Sequence, residues 1–232
     1  MKGEKEPRAG RRAKRELRKK ERAERERAAE AERMRKFGES VDSLRSRGFT
    51  AADLTIGIKA ANVFGLLTAL PFAAAAVLLF VAFAPAVRNI FPQLFCDIFL
   101  LAGLGLVSIP VHEALHGLFW GIANGTFRGI RFGVMRELWT PYCACEIPMK
   151  RGKYILGTAA PFVLLGIGFS AAGIMTGFWL LTGLGAYNIV CAGADIMICF
   201  KVLFSRAEIV LDHPHKCGFF GFSKIKKECE CP

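Results

Sequence analysis

The chain alternates long apolar runs with short polar breaks. Four runs, 60–83, 94–120, 154–176 and 178–204, are long enough to cross a hydrocarbon core of about 30 Å at 1.5 Å per residue. Pro71 should kink the first run and Pro110 the second, because proline removes a backbone hydrogen bond. In the third, Gly157, Ala159, Ala160, Gly166 and Gly168 allow helices to approach closely in lipid. Between the second and third runs, 121–153 is polar and its period shifts toward two. Phe127, Gly129, Arg131 and Gly133 alternate there with Arg128, Ile130, Phe132 and Val134, and 140–147 reads as a second extended segment. The expected form is a β-hairpin, whose free edge either pairs with an extended peptide or only shields what lies beneath it. Before the first run, 37–59 mixes Val41, Leu44 and Phe49 with Asp42, Arg45 and Arg47, which suits a short helix at a membrane surface.

The predicted fold is therefore an all-α integral membrane protein. It has four transmembrane helices, a small cytosolic β-hairpin between helices 2 and 3, and a basic N-terminal tail. Residues 1–36 form that tail, helical or disordered; 37–220 form the membrane-embedded domain; 221–232 form a Lys- and Cys-containing C-terminal tail.

Composition agrees with this outline. The chain has 232 residues, of which 53% are hydrophobic, and a net charge of +12. Residues 1–36 carry 16 Lys/Arg against 8 Glu, so most of the excess sits in a stretch with no apolar stripe. Attraction to anionic lipid head groups fits that stretch. Nucleic-acid binding is not expected, because no aromatics are interleaved with the charges. The chain does not open on a short basic region followed by an apolar stretch and a cleavage site. The first span is therefore expected to act as an uncleaved insertion signal. The basic residues of 121–153 and of the final tail lie on the same side of a four-span protein as the N-terminus, while the two opposite loops share only Arg88. The positive-inside rule then gives a multi-pass cell-membrane protein with cytosolic termini and a cytosolic hairpin.

Candidate chemistry centres on Val111-His112-Glu113-Ala114-Leu115-His116-Gly117, near the end of the second span. On a helix, His112 and His116 lie one turn apart on one face, a spacing that suits two nitrogens on a single zinc ion. Glu113 beside them can take a proton from a water on that metal. Each ionisable group inside a spanning helix costs about 2.5–3.5 kcal/mol on insertion scales, so three within five residues need a functional reason. A catalytic zinc needs a third protein ligand and an open position. Asp195 is the leading candidate, because its depth in the fourth span, about 26 Å from the outer end, matches about 27 Å for His112 in the second. Asp212, His213 and His215, past the membrane end, are the alternatives. Asn188, two turns before Asp195, could hydrogen-bond a substrate backbone or a neighbouring helix. Cys96, Cys191 and Cys199 read as buried apolar side chains. Cys143, Cys145, Cys217, Cys229 and Cys231 could form a second, thiolate metal site with His213 or His215, though C-x-C lacks the usual spacer.

These features together resemble a family. His112-Glu113-Ala114-Leu115-His116-Gly117 at a membrane-helix end is followed by Arg131-Phe132-Gly133 and by Lys150-Arg151-Gly152-Lys153-Tyr154-Ile155 at a helix entry. Ala160-Pro161 comes next, then Asn188 with Asp195 seven residues later. The set resembles the zincin-peptidase family of small prokaryotic membrane proteins, similar in plan to site-2 protease-type intramembrane zinc metalloproteases, over about residues 37–220. The resemblance implies His112, His116 and Asp195 as zinc ligands and Glu113 as general base. It also implies peptide cleavage at or near the cytosolic membrane face, with a membrane protein or peptide as substrate. Two other functions compete: a non-catalytic membrane protein that senses or carries a metal, and a scaffold with a vestigial site.

Overall fold

The computed structural model describes residues 8–84, 94–135 and 140–224. Arg88, Arg136, Cys229 and Cys231 fall outside the described residues. The chain divides into two compact units, Met1–Ser43 and Leu44–Pro232.

The first unit is almost entirely one helix, α1 (Arg8–Ser46). Its charges pair along its own surface: Glu16 with Lys19, Arg22 with Glu26, and Glu32 with both Arg35 and Lys36. Spacings of three and four residues bring such side chains together, and pairs this exposed add little to stability.

The second unit is built on α2 (Ile58–Phe83), α3 (Leu94–Asn124), a long helix over Arg151–Thr176, and a bent pair, α6 (Trp179–Cys191) and α7 (Gly193–Phe204). Three of these helices are long and apolar enough to cross a membrane, or four spans if the bent pair counts as one. Helix α2 buries Ala61, Gly65, Ala69, Ala73, Ala76 and Phe80, one narrow stripe of mostly small residues. It leaves Leu67, Leu78 and Val81 exposed on the other side. That asymmetry is the pattern of a helix with lipid on one side and helices on the other. The stripe packs against α6 and α7. At the crossing, a Cβ on Gly193 would lie 2.4 Å from the Gly65 carbonyl oxygen, so both positions need glycine.

The third helix is not uniform. It runs as α4 (Arg151–Pro161), a six-residue π-helical stretch (Phe162–Ile167), and α5 (Gly168–Thr176). Proline inside a helix forces such a change of hydrogen-bond pattern. The fourth run also differs from the single straight helix expected. It bends by 55° at Ala192, between α6 and α7.

The strands go beyond the hairpin that the sequence suggested. Strands β2 (Ile130–Met135) and β3 (Thr140–Cys145) pair antiparallel, with Phe132 opposite Cys143. A second, four-stranded antiparallel sheet has the order β1-β6-β5-β4, from β1 (Phe49–Asp53), β4 (Met149–Lys150), β5 (Ile209–Asp212) and β6 (Phe219–Lys224). The segment 37–59, expected as a surface helix, thus holds the end of α1 and strand β1. Residues 221–224, expected as part of a tail, belong to β6. In chain order the strands adjoin the start of α2, the end of α3, the start of α4 and the end of α7, so both sheets gather at one end of the helices. A core of Trp120, Met149, Tyr154, Val202, Val210 and Phe219 joins the four-stranded sheet to those helix ends.

Candidate metal centre

Helix α3 presents His112, His116 and Trp120 at i, i+4 and i+8, and all three are buried. Asp195 arrives on the first turn of α7, directly after the bend. A helix N-terminus favours a carboxylate there, because its free N–H groups carry partial positive charge. The bend and the Gly65–Gly193 contact decide where that turn lies.

The three groups converge. Nε2 of His112 is 3.0 Å from Oδ2 of Asp195, Nε2 of His116 is 3.4 Å from the same oxygen, and the two imidazole nitrogens are 3.2 Å apart. Tetrahedral zinc with bonds of about 2.0–2.2 Å sets its ligand atoms about 3.3–3.6 Å apart. A shift of a few tenths of an ångström therefore turns this triangle into one face of a zinc tetrahedron. Two ring nitrogens and a carboxylate are also a donor set suited to that metal. Among the described residues, these three are the group of His, Cys, Asp and Glu side chains able to hold a metal ion.

The ring orientation of His116 is fixed from behind. Its Nδ1 donates to the Gly157 carbonyl at 2.9 Å, which leaves Nε2 as the nitrogen turned toward Asp195. Its ring stacks on Trp120 at 5.3 Å between centroids, and Trp120 stacks on Tyr154 at 5.5 Å. The indole N–H of Trp120 donates to the Tyr154 carbonyl at 2.9 Å. Among the described residues, His112 has no such support: its Nδ1 is buried without a hydrogen-bond partner.

Glu113 sits in the electrostatic field of His116, His112 and Asp195, with the backbone of Cys143 nearby. The hairpin carrying Cys143 is seated on α3 through two glycines. Gly117 receives the rings and branches of Phe132 and Ile130, and Gly121 receives Phe127; a Cβ at either would be within 2.5 Å of an aromatic carbon. Pairing register makes Pro141, Cys143 and Cys145 the residues whose backbone groups point away from β2. Pro141 has no N–H, Cys143 lies near Glu113, and Cys145 donates to Asp212 Oδ2 at 2.8 Å. The edge nearest the site therefore turns backbone carbonyls of Pro141 and Cys143 away from β2.

The other candidates fall elsewhere. Asp212 is not in the ligand group. Besides Cys145, it accepts the Tyr154 hydroxyl at 2.5 Å, and burial lifts its carboxyl to about 6 against the pull of those two bonds. His213 lies in a turn, where its Nδ1 accepts the backbone N–H of His215 and of Lys216. Asn188 is 1% exposed, spends its amide nitrogen on the Leu184 carbonyl, and is not in the ligand group. Burial pushes the thiols of Cys143 and Cys145 up to about 12, and Cys229 and Cys231 of the expected second site lie outside the described residues. Sequence reasoning missed Trp120, Tyr154 and Gly157. The first was visible as the next step of the 112, 116 spacing; the carbonyl of Gly157 carries no sequence signal of its own.

Two histidines on one helix and a carboxylate from another, beside a glutamate, form a group on apolar helices that could hold a metal ion. Residues 105–210 match the family described as "Putative zincin peptidase", a stretch containing all four of those residues. No curated protein and no solved structure matches the chain.

Proposed function

We propose that this protein is a membrane-embedded zinc metallopeptidase of the site-2 protease kind, hydrolysing peptide bonds at or near the cytosolic membrane face. The observation that supports this most is the convergence of His112, His116 and Asp195 from two apolar helices to within 3.4 Å, with Glu113 alongside. His112, His116 and Asp195 would hold the zinc, which, when bound, polarises the scissile carbonyl and acidifies water. Glu113 then takes a proton from the attacking water as its oxygen bonds to the carbonyl carbon. The same carboxyl delivers that proton to the amine nitrogen as the C–N bond breaks. The substrate enters as an extended segment, since a helix hides its carbonyls in internal bonds. Its backbone N–H groups meet the carbonyls of Pro141 and Cys143. The positive-inside rule favours cytosolic termini, and the basic residues of 1–36 would then favour contact with anionic lipid.

The test is Glu113→Gln in the purified full-length chain in lipid nanodiscs, with a peptide library as substrate and new N-termini as the readout. The variant should keep its zinc and lose cleavage by at least about a thousandfold, the scale of removing a catalytic proton-transfer group. Full cleavage by the variant would overturn the peptidase reading. Zinc binding without cleavage by the wild type would leave a metal sensor in its place.

A further inference from the structure

Gly157 and Pro161 are four residues apart in the third long helix. In an α-helix the N–H of residue i bonds the carbonyl of residue i−4, so a proline at 161 leaves the carbonyl of Gly157 without its helical donor. The next N–H, that of Phe162, does not compensate: it donates to Ala159, and the π-helical stretch begins at that residue. The released carbonyl is the one that accepts His116 Nδ1 at 2.9 Å. Gly157 meets a second requirement at the same point. A Cβ there would stand 2.1 Å from Cδ1 of Trp120, in the space of the indole that stacks on His116. Pro161 is itself fully buried.

We infer that Gly157 and Pro161 are positioning residues for the metal centre, the proline withholding a helical donor so that the Gly157 carbonyl fixes the tautomer and orientation of His116. This rests on the zinc reading of the site and adds the device that prepares one of its ligands. Neither residue touches the metal. Both act through His116, whereas His112, whose Nδ1 has no hydrogen-bond partner among the described residues, serves as an internal control.

The test is Pro161→Ala, which returns an N–H donor to the Gly157 carbonyl while removing little else. Zinc affinity of the full-length chain, measured by competition with a chelator, should fall about 10–100-fold, the usual effect of removing the outer partner of a metal-bound histidine. In histidine-labelled protein, the His116 Nδ1 proton should exchange faster in the variant while the His112 signals stay in place. Unchanged zinc affinity, or an unchanged His116 signal, would overturn the inference. Should the variant not fold, the wild type alone still decides. A scalar coupling between His116 Nδ1 and the Gly157 carbonyl carbon must be present with and without zinc, and its absence would refute the bond. Failure of the wild type to bind zinc while that coupling is present would instead refute the peptidase reading.

Discussion

Three side chains that are costly in an apolar helix are affordable here only together. Asp195 and the two histidines were legible in the sequence because lipid penalises ionisable groups and leaves few of them unexplained. What holds them was less legible, since backbone carbonyls and ring stacking carry little sequence signal. Asp212 shows this well: read as a spare metal ligand, it instead ties Tyr154 to the Cys145 N–H. Its carboxyl, ordinarily near 3.8, is lifted to about 6 by burial. The folded chain thus keeps a proton that the unfolded chain releases, so its stabilising effect is complete below the lower value and is lost as pH rises through the upper. The melting temperature of the wild type minus that of Asp212→Asn should therefore decrease between pH 4 and pH 7. A constant difference across that range would show that Asp212 does not titrate there.

At the scale of elements, the helices were readable from apolar length, but their irregularities were not. The 55° bend between α6 and α7 has no proline to announce it; it depends on how closely Gly193 meets Gly65. Gly193→Ala should force α2 and α7 apart, cost about 1–3 kcal/mol as an overpacked contact, and lower zinc occupancy by moving Asp195. Gly183→Ala is the contrast, because its Cβ meets Leu101 at an ordinary 3.6 Å. It should leave melting temperature and zinc content unchanged or slightly raised. Equal losses in the two variants would remove the special role of the crossing. The four-stranded sheet escaped the sequence for another reason. Phe49 pairs with Lys224 across nearly the whole chain, and strands as short as β4 have no periodicity to detect.

For the whole molecule, the charged helix and the metal centre fall in different compact units. Deleting residues 1–36 should therefore leave zinc content and cleavage within about twofold of the wild type, while weakening any added affinity for anionic vesicles, to which each basic residue contributes about 1 kcal/mol. Loss of zinc on that deletion would show that α1 is needed to build the centre. The account as a whole depends on two apolar helices bringing a carboxylate and two imidazoles around one cation. The most direct measurement is zinc per chain, by elemental analysis, in the purified full-length protein and in Asp195→Ala. About one zinc in the wild type and nearly none in the variant is the predicted result; no zinc in the wild type, or the same amount in both, would contradict it.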